Sequence, residues 1–340
     1  DDAGSSHPPI LAVVASRDVD TRVKVLEAGA DDVLAQPFDE RELAAMVDAL
    51  LLRSAPAARG PAPAASIASP RPQGSAGRVI VFASAKGGSG TTTLAVNTAL
   101  LLAEMAPGNV AIADMDMFHG QVSTHLDIYG PGSTATLARE DLRSQTPDMV
   151  ADSGRLHPSG LMVYGGPYRP DDAHAVTSDQ LKTLLTTLRG MYATVVVDAG
   201  STLDGRAMTV LNAADRLAIV VTPDIPALRL LHAALEVLSE MGNAADRATF
   251  VVNDIYPKSS ISPDQIEEHL SIRVGLTVPY DSENFLRATN EGHPIVSLSR
   301  RSHAAAALRK LSEMLADNDV DDGAPRPHKK GRLGGLLGRS

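Results

Sequence analysis

Apolar runs and helical repeats alternate along residues 78–317. Most of the runs are rich in β-branched residues and lack polar alternation, which is typical of strands covered on both faces of a parallel sheet. These candidate strands are Val79–Ala83, Val110–Ala113, Leu161–Tyr164, Thr194–Val197, Leu217–Val221 and Thr249–Val252. The candidate helices are Thr92–Met105, Ser178–Leu188, Ala227–Met241, Ser302–Ala316 and one that begins at the capping sequence Ser262-Pro263-Asp264-Gln265. The alternation predicts an α/β fold with a parallel sheet and helices on both faces.

A segment of alanine, proline, serine and glycine at residues 54–77 interrupts this pattern. It contains too little apolar surface to offset the entropy of ordering, so we expect an interdomain linker. The predicted domains are therefore 1–53 and 78–317, followed by an acidic and then basic flexible tail at 318–340. Within the first domain the order is strand, helix, strand, helix, at Ile10–Val14, Val19–Ala28, Val33–Leu34 and Glu40–Leu52.

Composition narrows the function classes. The 340 residues include 41 acidic and 31 basic side chains, for a net charge of −10, and no cysteine. The missing cysteines exclude disulfide scaffolds, thiolate metal sites and cysteine-held iron–sulfur clusters. The acidic balance makes DNA an unlikely partner. No apolar run is long enough for a membrane span and no secretory signal is visible, so we expect a cytoplasmic protein. Because the sequence does not begin with methionine, we expect that it starts inside a longer chain.

The chemistry-bearing motif lies between the first strand and first helix of the second domain. Its glycines let backbone N–H groups surround a phosphate chain, and the helix N-terminus adds positive potential. The alternative is a plain flexible turn. The candidate phosphate-binding residues are Lys86, Gly87, Gly88, Ser89, Gly90, Thr91, Thr92 and Thr93.

This loop resembles the deviant Walker A motif of the ParA/MinD ATPases, and the resemblance extends from Arg78 to about Leu315. It implies ATP and Mg2+ as cofactors. Lys86 matches the signature lysine, which reaches the partner's phosphates in a nucleotide-sandwich homodimer. Thr92 matches the magnesium-binding hydroxyl and Thr93 the next phosphate contact. Thr91 occupies the position of the usual P-loop lysine, so we expect nucleotide binding with weak or absent hydrolysis.

Two acidic motifs extend the resemblance. Asp114-Met115-Asp116 is similar to the family's switch I, which implies a catalytic role for Asp116 on the attacking water and a place for Asp114 beside the magnesium. A helix cap or turn is the alternative for this pair. Asp198-Ala199-Gly200 matches the Walker B and switch II region, which makes Asp198 a third magnesium-shell residue, although Ala199 replaces the family's proline.

Residues near the base are implied by the same resemblance. Asn253 resembles the strand-end asparagine that contacts adenine, although Asp254 stands where an arginine is usual. Pro279 and Asp281 match a Pro-Tyr-Asp segment that also lies near the base in this family.

Within the superfamily, the chain resembles the CpaE/TadZ group of Flp/Tad pilus-assembly proteins. This likeness rests on the replaced P-loop lysine, the receiver-like domain that precedes the second domain, the helix sequence TLAVN and the stretch Asp114–Val122. It implies a dimer that binds pilus and secretion machinery and sits peripherally at the inner membrane or a cell pole. The alternative is an active MinD/ParA-type ATPase in division-site selection or chromosome partition.

The segments before and after the second domain are interpreted separately. Leu26–Phe38 resembles the C-terminal half of a response-regulator receiver domain, but Gln36 and Val14 replace its usual lysine and hydroxyl residue. A receiver-like docking fold is therefore favoured over a working phospho-switch. The tail Arg326–Ser340 combines basic residues with three leucines and four glycines, which favours a solubilising tail over a weak membrane-surface peptide.

Overall fold

This computed structural model describes residues 10–15, 25, 32–35, 77–128, 133–140, 146–167, 170–240 and 247–317. The chain divides into two compact units between Ala65 and Ser66. In the first unit, β1 (Leu11–Val14) pairs in parallel with β2 (Asp32–Ala35), as the two apolar runs there predict. Apart from Val25, the predicted helices at 19–28 and 40–52 lie outside the described residues, as do linker residues 54–76 and the tail at 318–340.

The second unit is built on an eight-stranded sheet with the order β10-β9-β8-β3-β7-β4-β6-β5. Every pair of neighbours is parallel except β5 and β6, which are antiparallel at one edge. The strands are β3 (Arg78–Ser84), β4 (Val110–Asp114), β5 (Arg155–Leu156), β6 (Met162–Tyr164), β7 (Thr194–Asp198), β8 (Arg216–Val221), β9 (Ala248–Asn253) and β10 (Val274–Val278).

Helices cover both faces of this sheet, as predicted. Numbered over the described residues, they are α1 (Thr91–Met105), α2 (Val122–His125), α3 (Thr134–Arg139), α4 (Pro147–Asp152), α5 (Pro170–His174), α6 (Ser178–Met191), α7 (Gly205–Ala213), α8 (Ile225–Glu240), α9 (Pro263–Leu270), α10 (Ser282–Glu291), α11 (Ile295–Leu298) and α12 (His303–Ala316). The predicted capping box is present at α9, where Ser262 and Gln265 each bond the other's backbone N–H.

Alternate residues of each central strand enter opposite cores. In β3, Val79 and Val81 join the core formed with α6, α7 and α8, whereas Ile80 and Phe82 join the core formed with α1 and α12. Burial on both faces explains the unbroken apolar runs in the sequence. No helix within the described residues is both long and apolar enough to cross a bilayer.

The structure contains elements that the sequence pattern did not predict. Strand β10 was missed because Gly275 and Thr277 interrupt its short apolar run. Helix α10 was missed because most of its residues are polar and only Ala288 is buried. The two-residue β5 and the helices of four to six residues complete too few periods to give a hydrophobic pattern.

The topology places a crevice at the carboxyl end of β3. After β3 the chain crosses to β4 on one side, and it later returns to β8 on the other side. In open α/β sheets, ligands bind at such a switch point, outside the carboxyl ends of the strands. The glycine-rich loop leaves β3 at this point.

Candidate functional site

The loop between β3 and α1 is folded back on its own backbone. The hydroxyls of Ser84 and Ser89 both donate to the carbonyl of Lys86, at 3.0 and 2.8 Å. Gly88 and Gly90 have φ values of 76° and 87°, which are left-handed conformations that favour glycine. The result is a fixed backbone turn that opens directly into the N-terminus of α1, where N–H groups lack intrahelical partners.

Thr91 is turned away from the mouth of this loop. Its hydroxyl donates to Ser84 Oγ at 2.9 Å, and the residue is 7% exposed. The position that holds the point charge in ordinary P-loops therefore holds a buried, satisfied hydroxyl here.

Lys86 supplies a cation from the other end of the loop. Its ammonium lies 3.4 Å from Asp224 Oδ2 on the same chain, and both side chains are partly buried. Although burial opposes it, hydrogen bonds from Thr222 and Ala227, together with the Lys86 charge, hold the pKa of Asp224 below its ordinary value. Tyr256 also donates to the same oxygen, at 3.2 Å. Lys86 is thus held within its own chain by an ionised carboxylate.

Asp198 ends β7 beside Asp114, its in-register neighbour at the end of β4. One carboxylate oxygen of Asp198 accepts from the Gly200 N–H at 3.1 Å, whereas Oδ2 is buried and has no hydrogen-bond partner. Burial raises the pKa of Asp198 to about 6, although the nearby Thr92 hydroxyl lowers it. A buried carboxylate oxygen without a donor is costly unless a ligand completes it.

Asp114 is also fully buried. It accepts from the Asp116 and Val122 N–H groups, at 3.2 and 3.0 Å. Burial and then the neighbouring charge of Asp198 raise the pKa of Asp114 well above its usual range. Two adjacent buried carboxylates of this kind are a site that a divalent cation would stabilise.

Asp116 anchors the turn that follows β4. Its Oδ1 accepts from the N–H groups of Phe118 and His119, at 3.2 and 3.0 Å, so the predicted alternative of a turn-forming aspartate is also present in the structure. The second oxygen is directed at switch II, because a Cβ added at Gly200 would lie 2.0 Å from Oδ2. Asp116 therefore links the two segments that the resemblance identifies as switches.

Small residues enclose the acidic cluster, and sequence reasoning did not single out two of them. A Cβ at Gly120 would lie 2.6 Å from both carboxylate oxygens of Asp114, and one at Gly166 would lie 3.0 Å from its Oδ2. Gly120 lies in the stretch Asp114–Val122 that the resemblance already includes, whereas Gly166 follows β6 and approaches the cluster only in the folded chain, so no local pattern marks it.

The two threonines at the start of α1 differ in their surroundings. Thr92 lies beside Asp198, as a shared magnesium shell requires. Thr93 Oγ1 instead lies 3.2 Å from Nε2 of His125, a residue that the sequence did not indicate. The structure thus brings Thr92 and Asp198 together, whereas the Thr93 hydroxyl contacts His125 of α2.

Asn253 closes the far side of the loop from the end of β9. Its side-chain N–H donates to the Ser89 carbonyl at 2.9 Å, while its own Oδ1 is buried without a partner. A Cβ at Gly90 would lie 2.4 Å from the amide nitrogen, so glycine is required there by approach as well as by φ. The unpaired carbonyl oxygen is suited to accept from an exocyclic amine such as that of adenine.

The other two predicted base-side residues follow β10. Asp281 is the N-cap residue of α10 and accepts from the Asn284 side chain at 2.8 Å. Pro279 precedes it in the same turn and is half-buried. The side-chain contact of Asp281 is with α10 rather than with the loop, so the role of both residues at the base stays a prediction.

These residues fit a magnesium–nucleotide complex. The loop offers N–H groups to phosphates, and Thr92 and Asp198 offer oxygens to Mg2+. The two buried oxygens without a hydrogen-bond partner, one on Asp198 and one on Asn253, can bind a cation or accept from a donor. The fold and this site define the class of P-loop nucleotide-binding proteins.

Comparison with known proteins identifies the family. Residues 77–248, just over half of the chain, match the family model described as an AAA domain, and the chain belongs to that family. It is 23% identical over 257 residues to the septum site-determining protein MinD of Bacillus subtilis, covering 72% of this chain and 91% of that protein. Within the P-loop class, it is a member of the ParA/MinD superfamily.

Solved structures show the same fold. A ParA family ATPase from Chlorobium tepidum TLS has a TM-score of 0.65 and 22% identity, covering 70% of this chain and 98% of that one. MinD from Pyrococcus horikoshii OT3, solved in complex with Mg-ADP, has a TM-score of 0.55 and 24% identity, covering 70% and 96%. The α/β class with its parallel sheet is thereby confirmed.

Proposed function

We propose that this chain is an ATP-binding, nucleotide-switched dimeric scaffold that localises Flp/Tad pilus assembly and hydrolyses ATP weakly or not at all. The observation that carries the low turnover is Thr91, whose hydroxyl is buried against Ser84 where other P-loops place a lysine. Without that charge, less of the negative charge on the transferring phosphoryl group is neutralised.

The other groups of the site are those that a nucleotide-binding switch requires. The loop backbone and the α1 N-terminus would hold phosphates, Thr92, Asp114 and Asp198 would hold Mg2+, and Asp116 would position water or couple the two switches. When bound, Mg2+ neutralises phosphate charge and relieves the repulsion between the buried carboxylates.

Dimerisation follows from the position of Lys86. In the free protein it pairs with Asp224, and we propose that ATP releases it to reach the phosphates of a second copy. Sedimentation velocity of the full chain should show ATP-dependent dimers that Lys86→Ala weakens. A mass unchanged by both ATP and the substitution would contradict the sandwich.

The pilus role rests on the sequence resemblance to the CpaE/TadZ group, on the receiver-like segment before the second unit and on the low expected turnover. It places the protein in the cytoplasm, peripheral to the inner membrane or a cell pole, with pilus and secretion proteins as partners. The tail at 318–340 would then aid solubility or contact a membrane surface weakly.

An active ATPase in division-site selection or partition is the second candidate, because the curated relatives include MinD proteins. Steady-state phosphate release from the purified full chain separates the two. The scaffold predicts turnover far below that of ordinary P-loop ATPases. Turnover in the range of ordinary P-loop ATPases, abolished by Asp116→Ala, would instead establish the ATPase.

A further inference from the structure

His125, the last residue of α2, is held between two partners. Its Nδ1 lies 3.0 Å from the Gln121 carbonyl oxygen, and its Nε2 lies 3.2 Å from Thr93 Oγ1. A carbonyl oxygen only accepts, so Nδ1 carries a proton. In the neutral ring Nε2 is then an acceptor, and the Thr93 hydroxyl must donate its proton to it.

This arrangement conflicts with phosphate binding at Thr93. A deprotonated phosphate oxygen also only accepts, and the hydroxyl has a single proton to donate. If Thr93 donates to phosphate, neutral His125 faces the hydroxyl with a lone pair and no donor. The conflict disappears when Nε2 carries a proton as well.

The negative charge of the phosphates also favours a protonated His125. The loop has a hydroxyl at Thr91, and Lys86 is paired with Asp224 in the free protein. A triphosphate beside Thr93 would bring several negative charges close to an imidazole that stands behind that hydroxyl. Nearby negative charge favours the protonated ring.

We propose that nucleotide binding is coupled to the uptake of one proton by His125. The proton comes from solvent and binds Nε2; the imidazolium donates to Thr93 Oγ1, and Thr93 donates to the nucleotide phosphate. His125 is thus a positioning residue that also contributes the positive charge missing at Thr91. The inference rests on the proposed nucleotide site.

The surroundings of His125 favour the neutral ring. Burial lowers the pKa of His125, and the Gln121 carbonyl raises it by less, so the ring is neutral at pH 7. The elements around α2 carry other titratable groups, of which the carboxylates of α1, α10 and the turn after α2 are exposed. In the described chain these groups are Asp114, Asp116 and His119 before α2, Asp127 after it, Glu104 on α1, Tyr164 on β6, Glu283, Arg287 and Glu291 on α10, and His293 after α10.

Most of these groups already have partners. Arg287 pairs with Glu291 at 2.8 Å, and Tyr164 shares its hydroxyl hydrogen bond with Tyr192 at 2.8 Å. Asp114 belongs to the magnesium cluster and accepts from backbone N–H groups. The new charge that His125 meets on binding is therefore that of the magnesium–nucleotide complex, whose net charge is negative.

Isothermal titration of the full chain with Mg-ATP, in two buffers of different ionisation enthalpy, counts the protons taken up. Wild type should take up as much as one proton more than His125→Gln, whose amide keeps a hydrogen bond to Thr93 without titrating. Between the free and bound pKa values of His125, wild-type affinity should fall about tenfold per unit rise in pH, and this slope should vanish in the variant.

Two further variants keep the test decisive. Thr93→Val should also lose the extra proton, because it removes the hydroxyl that links ring and phosphate. His157→Gln, at a half-buried histidine after β5 whose Nδ1 lies 2.8 Å from Ser159 Oγ, should behave as wild type. Equal proton uptake by wild type and His125→Gln would overturn the coupling alone, since binding persists. Absence of Mg-ATP binding by wild type at every pH would overturn the nucleotide site and the coupling together.

Discussion

The interior of the large sheet and its carboxyl edge are built by opposite rules. In the interior, Ile80, Phe82 and Val196 are completely buried among apolar side chains. At the edge, where β4 and β7 end, Asp114 and Asp198 are just as buried but are acidic and adjacent. The apolar side chains of the interior stabilise the fold. The buried carboxylates at the edge lower the stability of the fold but are placed to bind a ligand.

The first way to test this contrast is to remove a core side chain far from the edge. Leu184 on α6 is fully buried, so Leu184→Ala should lower the free energy of unfolding by about 2–5 kcal/mol. Urea denaturation measures the loss, and Mg-ATP affinity of the folded protein should not change. Leu286→Ala is the control, because this side chain is 64% exposed and should cost less than about 0.5 kcal/mol. A changed affinity would mean that the two regions are not independent.

At the carboxyl edge, we expect a substitution to raise the free energy of unfolding rather than lower it. Asp198→Asn removes a buried charge while its oxygen can still accept from Gly200, so the nucleotide-free protein should gain up to about 3 kcal/mol at pH 8. The folded pKa of about 6 exceeds the ordinary 3.8, so wild-type folding binds extra protons between these values and wild type loses stability as pH rises through them. The advantage of the variant should therefore vanish below about pH 4. Equal stability of the two proteins at pH 8 would contradict the buried charge.

The smallest expected loss of stability concerns two glycines with left-handed backbone conformations, which should differ in their effect on Mg-ATP affinity. Gly90 lies in the loop and Gly108 precedes β4 at the amino edge, with φ of 87° and 77°. Alanine at either position should cost about 1–2 kcal/mol from the left-handed backbone. Only Gly90→Ala should also weaken Mg-ATP binding, because its Cβ displaces the Asn253 amide, whereas a Cβ at Gly108 meets nothing within 4 Å. Equal affinities for the two variants would contradict the role given to Asn253.

The sequence predicted most of the interior and part of the edge. Unbroken apolar runs mark doubly covered strands, and residues directly after them, such as Asp114 and Asp198, must lie at one edge because parallel strands share their direction. The contacts of Lys86 with Asp224 and of Thr93 with His125 join positions 138 and 32 residues apart. Such pairs depend on which loops meet over the edge, and no local pattern encodes that. Thr222-Pro223-Asp224 does follow a predicted strand, and this position was the available signal for Asp224.

The central claim is that the carboxyl edge is a magnesium–nucleotide site. Its most direct test is calorimetric titration of the full chain with ATP, with and without Mg2+, alongside Asp198→Asn. We expect saturable binding by wild type that Mg2+ strengthens, and a folded, more stable Asp198→Asn protein that has lost this strengthening. No binding by wild type, or the same magnesium dependence in both proteins, would contradict the account.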